Sequence, residues 1–159
     1  MNYRIYLCSA LLLAGLSGYG QIESKQKSND AIFPKGTRSP ASSFTGAVWS
    51  STLVPDDTTY NCIIANVTFE PGSRSNWHYH NSGQILLVTD GIGYYQEKGK
   101  QIELMKKGDV IKCPPMVEHW HGASPNSSCT HIVLVPNTEK GIVKWLKPVT
   151  AEEYNAKKQ

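Results

Sequence analysis

Hydrophobic positions along this chain come in short runs, and glycine or proline closes most of them. The runs Cys62–Phe69 (CIIANVTF), 84–89 (QILLVT), 93–96 (GYYQ), 102–105 (IELM), Val110–Cys113 (VIKC), 117–121 (VEHWH) and 130–135 (THIVLV) read as strands. Turn formers separate them: Pro71-Gly72, Asp90-Gly91, Lys98-Gly99, Lys107-Gly108-Asp109, Pro114-Pro115 and Ser124-Pro125-Asn126. Many short strands without intervening helices predict an all-β sandwich or barrel. There is no internal repeat. One helix is predicted, over 151–158, where Thr150 and Glu153 have the spacing of a capping box ahead of good helix formers.

Strand alternation gives each run two faces. Residues i and i+2 point the same way, so His78 and His80 share a face, as do His119 and His121. With His131 these are all five histidines of the chain, and all fall within residues 78–131. One such pair is ordinary on a wet strand; two pairs and a fifth imidazole in one segment point to a metal site. Buried without a partner these rings would be costly, whereas neutral imidazole is a common metal ligand. The same alternation turns Trp77, Tyr79 and Trp120 outward. Three aromatics on neighbouring strands form an apolar patch that a monomer rarely leaves bare. The expected cover is either the stretch 32–54 or a second subunit, and a homodimer through this face is the expectation.

Composition narrows the setting. Residues 1–20 carry Arg4 and no acidic side chain, an apolar core over 7–16 and small residues at the end, the layout of a secretory signal peptide. The apolar run is too short for a membrane anchor, and Cys8 lies inside it rather than after it, unlike a lipoprotein signal. An exported chain, periplasmic or extracellular, is therefore expected, with no membrane contact after signal removal. A polar lead-in at 21–30 is expected to be flexible, and 31–159 to form one domain. The formal net charge is only +3, and the lysines lack interleaved aromatics, which argues against nucleic-acid binding. Cys62, Cys113 and Cys129 would remain after export. An odd count excludes a fully paired disulfide framework, and none is spaced as a CxxC motif, so free thiols are expected.

The motifs Gly72-x5-His78-x-His80-x3-Gln84-x6-Gly91 and Gly108-x5-Pro114-x4-His119 resemble the two conserved motifs of the cupin superfamily. Met116 stands in the second where a glycine is common. The resemblance implies a jelly-roll barrel with one divalent metal ion per chain, held by His78, His80, Gln84 and His119. The departure is Gln84, since most metal-binding cupins carry glutamate there. NWHYHNSGQ and EHWHGA are similar to single-domain bacterial cupins of the manganese-dependent hydroxynitrile lyase type, which have this glutamine. Their likeness reaches Phe33-Pro34-Lys35-Gly36, Phe44-Thr45-Gly46 and the stretch 145–150. It implies manganese, with iron, cobalt or zinc as alternatives, and His131 as a general base beside the substrate. His121 is expected to support a ligand or touch the substrate.

An amide cancels none of the metal's charge. Three imidazoles and an amide favour stabilising an anion over reaching a higher oxidation state. The resulting expectation is a metal-dependent lyase or decarboxylase acting on a small carbonyl-derived molecule. A non-catalytic metal or ligand-binding module and a dioxygenase are its rivals.

Overall fold

The computed structural model describes residues 31–156; the expected signal peptide and lead-in lie outside them, as do the last residues of the predicted helix. Twelve strands follow in chain order. They are β1 Thr37–Arg38, β2 Phe44–Thr45, β3 Val48–Val54, β4 Cys62–Phe69, β5 Arg74–Ser75 and β6 His78–Tyr79. Then come β7 Gln84–Glu97, β8 Glu103–Lys106, β9 Val110–Cys113, β10 His119–Ala123, β11 Cys129–Pro136 and β12 Lys144–Trp145. A single helical turn, α1 Ala151–Tyr154, follows. The class is all-β with one short helix, as the patterning predicts, and the sheet curls into the jelly-roll barrel that the resemblance implies.

The barrel has two walls. The first is ordered β1-β3-β4-β11-β7, with β9 also on β7. The second continues β7-β10-β5-β2, with β8 on β7, β6 on β10 and β12 on β6. Strand β7 belongs to both: its first half pairs with β11 and β9, its second with β10 and β8. The sequence reads Asp90-Gly91 as a turn; the structure makes it the bend of one continuous strand. Gly91 has φ +75°, and a Cβ there would meet the Ser128 carbonyl oxygen at 1.9 Å. Only glycine lets the strand turn the barrel corner so close to its neighbour. Strand β3 is absent from the sequence expectation, although VWSSTLV is rich in β-branched residues.

The main core lies between the walls, built on Phe69, Leu86, Val88, Tyr95 and Met105. A second core lies behind the second wall and corrects one expectation. Trp77 and Trp120 do point away from the histidines, but they are 2% and 0% exposed. The stretch after β12 folds back over them, bringing Leu146, Val149 and Tyr154 into one cluster with both rings. The cover is thus this chain's own later segment, neither residues 32–54 nor a second subunit. Tyr79 is half-buried. The polar edges of the covering segment are matched. Trp77 Nε1 donates to Glu153 at 3.2 Å, Trp120 Nε1 to Gln96 at 2.7 Å, and the Tyr154 hydroxyl to the Ala123 carbonyl at 2.8 Å.

The cap of α1 is the predicted one: Thr150 accepts from the Glu153 backbone, and the Glu153 side chain accepts from the Thr150 backbone. Truncating Trp120 to alanine should empty this second core. The expected cost is about 3–5 kcal/mol, read as a shift of the urea midpoint, with metal content as the companion measurement. Among the described residues no helix is long and apolar enough to cross a membrane.

Candidate metal centre

Strands β6 and β10 pair so that His78 lies directly opposite His119. His80 follows two residues along, and Gln84 opens β7 beside them. One ring nitrogen each from His78, His80 and His119 lies within 4.8 Å of the others, and all three residues are buried. Their hydrogen bonds decide which nitrogen faces the gap. His78 Nδ1 donates to the Asn76 carbonyl at 2.9 Å, and His119 Nδ1 to the Val117 carbonyl at 2.9 Å. His80 Nδ1 donates to the Ile142 carbonyl at 2.5 Å. Three backbone acceptors hold the three Nδ1 protons and leave the Nε2 lone pairs free, the arrangement that orients imidazoles for a metal.

Two of those lone pairs lack a donor that would satisfy them. His80 Nε2 is buried without a hydrogen bond. His119 Nε2 lies 3.4 Å from Gln84 Oε1, an acceptor facing an acceptor. The Cys113 thiol, 3.8 Å from the same oxygen, donates to it and favours that orientation of the amide. A cation between imidazoles and amide turns this repulsion into attraction. The donor set, three neutral nitrogens and a neutral oxygen, suits a divalent transition metal. Burial pushes the pKa of His119 down to about 4 and that of His78 well below its usual value, with His119 nearby adding to the latter. Burial lowers His80 as well. The rings are therefore neutral near pH 7 and ready to bind metal.

The remaining two histidines form a pair. His131 and His121 share a hydrogen bond, Nε2 to Nδ1, at 3.2 Å. His121 is held from behind, its backbone N–H donating to Ser75 Oγ at 3.2 Å, and its ring lies 5.2 Å from that of His78. Burial drives both pKa values down, His131 to about 4 and His121 well below the usual range, where His131 adds to the shift. His121 lines the cavity beside the cluster, whereas His131 is fully buried behind it. All five sequence-predicted histidines and Gln84 are thus brought together, with His121 between the cavity and His131.

The cavity itself was not legible in the sequence. It encloses about 160 Å³ and opens onto His78, His80, Gln84 and His121. Its other walls are apolar, including Phe44, Ala65, Val67, Val133 and Trp145, and among the described residues no acidic or cationic side chain lines it. Ile142, Val143 and Trp145 among its lining residues come from the stretch that follows β11. Trp145 packs against His78 at 4.9 Å and Phe44 at 5.4 Å between ring centroids. Of the thiols, Cys113 and Cys129 are buried and Cys62 half-buried, and all three are free.

The comparisons with known proteins agree with this architecture. The cupin domain family matches residues 65–135. The chain is 39% identical to the (R)-mandelonitrile lyase of Granulicella tundricola over 117 residues, 74% of this chain and 89% of that protein. It belongs to the cupin superfamily. This cupin is also similar to the crystal structure of a cupin-like protein from Thermotoga maritima, at 45% identity and a TM-score of 0.79. That match covers 82% of this chain and 98% of the other. A conserved barrel domain protein from Rhodopseudomonas palustris, 18% identical with a TM-score of 0.58, shares the fold; the match covers 74% of this chain and 78% of the other. The two histidine motifs, read as cupin motifs in the sequence, thus lie in a cupin barrel. Their three imidazoles form a cluster that could hold a metal ion.

Proposed function

We propose that this cupin is an exported, manganese-dependent lyase that cleaves or forms a carbon–carbon bond in a small, uncharged cyanohydrin-like molecule. The observation that carries the proposal is the cavity: an apolar space without charged walls, opening onto the imidazole cluster, with neutral His121 on its wall and His131 bonded behind it. The relative named (R)-mandelonitrile lyase supports the reaction class. His78, His80, His119 and Gln84 would hold the metal, which when bound supplies positive charge beside the negative charge that develops in the reaction.

The chain's own groups do the rest. The apolar walls hold the organic substituent and exclude water, which strengthens every polar interaction inside. His121, neutral and facing the cavity, takes the proton of the substrate hydroxyl as the carbon–cyanide bond breaks and the carbonyl forms. The departing cyanide carries the electron pair of the broken bond. His131 holds the His121 ring through its Nδ1 edge and shares the positive charge that the pair acquires. Gln84, as an amide, leaves the metal's charge uncancelled, so an anion is held more strongly than beside a carboxylate.

Two measurements test the proposal. Metal analysis after purification without chelators or a polyhistidine tag should give about one ion per chain, with manganese giving the highest activity. Less than about a tenth of an ion per chain would contradict the site. The manganese-loaded protein should release aldehyde from mandelonitrile or an aliphatic cyanohydrin well above the buffer rate, and a metal-loaded protein inert on the whole panel removes the lyase assignment. Gln84→Glu should keep the metal but weaken acetate binding roughly tenfold, a change of about 1.4 kcal/mol. Acetate titration followed by manganese resonance reads it.

A further inference from the structure

The cavity is bounded by rings at one end and runs along aliphatic rows at the other. At the imidazole end the ring contacts form a closed circuit. His78 meets Trp145 at 4.9 Å between centroids, Trp145 meets Phe44 at 5.4 Å, and Phe44 meets Phe69 at 6.0 Å. Phe69 meets His121 at 5.6 Å, and His121 returns to His78 at 5.2 Å. All of these but Phe69 line the cavity. From Phe69 the inward positions of β4 continue as Val67, Ala65 and Ile63, which line it in turn. Registers set these three opposite His131, Val133 and Val135 of β11. Each step is about 7 Å along the strands, so the space leads away from the imidazoles along these rows.

The stretch from Thr138 to Trp145 spans the length of this space. At its aliphatic end the Thr138 backbone N–H donates to the Asn61 carbonyl at 3.1 Å, one residue before β4. At its imidazole end Trp145 stands opposite His78 in the β6–β12 pair. Among the lining residues only Ile142 and Trp145 are exposed, at 37% and 40%. Their side chains therefore stand between the cavity and solvent, with Trp145 at the end next to the cluster. Size is restrictive. A cavity of about 150 Å³ holds benzene, so the 160 Å³ present here takes one group of that size.

We propose that Trp145, backed by Phe44, is a specificity-determining residue that leaves the reacting carbon room for one substituent besides hydrogen. The site then takes aldehyde-derived cyanohydrins and turns away ketone-derived ones, an inference that rests on the lyase reading of the site. With the hydroxyl within reach of His121, the one substituent lies along the Ala65–Val133 and Ile63–Val135 rows. A second carbon substituent points at the ring circuit, against the indole of Trp145 or the ring of Phe44. One methyl group too many in a filled apolar site lowers affinity roughly tenfold or more.

Hydroxy acids test this without turnover, because a carboxylate in place of the nitrile leaves the carbon's other substituents unchanged. Manganese resonance on the loaded protein should show mandelate bound roughly tenfold or more tighter than its α-methyl homologue. Trp145→Ala should bring the two within about threefold of each other, while metal content stays near one ion per chain. Ile63→Phe fills the other end. It should weaken mandelate and leave glycolate, which carries no substituent, unchanged. Equal binding of mandelate and its α-methyl homologue by the parent overturns the proposal, as does binding of neither. So does a ratio that Trp145→Ala leaves intact. Loss of metal in both Trp145→Ala and Trp145→Leu would make Trp145 a prop for His78 and overturn its selective role as well. The lyase reading fails on a different result, a metal-loaded protein inert toward every cyanohydrin, and the hydroxy-acid ratio decides the selectivity in that case too.

Discussion

Replacing His131 by alanine should lower turnover by roughly a hundredfold or more, the scale for disabling a positioned proton acceptor, here the His121 ring that His131 holds, while metal content stays near one ion per chain. His131 touches His121 and not the three clustered imidazoles' free edges, so its loss should not empty the cluster. His121→Ala should produce a similar loss, and the double variant should be little worse than either, because the two rings act as one unit. His119→Ala should differ in kind by losing metal and turnover together. The pH profile distinguishes a proton acceptor from a packing residue. Burial holds the His121 pKa well below the usual range and that of its partner His131 at about 4, so the pair remains neutral through the range where a free imidazole would become charged. In the metal-loaded protein kcat/KM should therefore stay flat from about pH 8 down through about 6.5, the free-imidazole value, with its acid limb well below that value. A limb at the free-imidazole value that vanishes in His131→Ala would contradict the buried pair. Normal turnover in both alanine variants would remove the pair from the reaction.

The second large effect concerns stability. His119 and His131 both have pKa values near 4 in the fold and about 6.5 when unfolded. Between those values the unfolded chain binds protons that the folded chain does not, so stability rises with pH across that window. It is fully present above about 6.5 and is lost as pH falls toward about 4. Going from about pH 7 to about pH 5 should remove on the order of 2 kcal/mol for each of these two buried rings. His78, His80 and His121 are shifted in the same direction and add to the loss. Total stabilities of small domains are only about 5–15 kcal/mol, so the metal-free protein should come close to unfolding near the lower of those pH values. Urea midpoints in a chelator at both pH values measure this. Equal midpoints would mean that the imidazoles are not buried as neutral rings.

What the sequence disclosed follows from what alternation can and cannot encode. The strands Cys62–Phe69 and Val110–Cys113 were legible to the residue, because turn formers bracket β-branched runs. The two HxH pairs were legible as one site, because period-two geometry fixes their face. Alternation names a face without naming its cover, so Trp77 and Trp120 read as an exposed patch when a segment remote in sequence lies over them. Pairing is equally silent in a single chain. That His131 reaches His121 depends on β11 and β10 flanking the same bent strand, and Asp90-Gly91 reads as a turn because a barrel corner needs the same residues. The Ile142 carbonyl that holds His80 belongs to no motif, since any residue supplies a carbonyl.

The covered second core has a consequence for how the protein is made. Trp77, one residue before the first histidine of the cluster, is bonded to Glu153, 76 positions later. Strand β6 also needs β12 as its edge partner, with Trp145 opposite His78. At about 5–20 residues per second, the ribosome has moved on for roughly 4–15 seconds before that partner exists. During this interval the HxH strand is an unpaired edge backed by a bare tryptophan, a surface that invites association with other chains. The nascent polypeptide therefore passes through an aggregation-prone stage that ends only when its later segment docks. Shielding by a chaperone during those seconds, more than the equilibrium stability of the finished barrel, would then govern how much soluble protein a cell recovers.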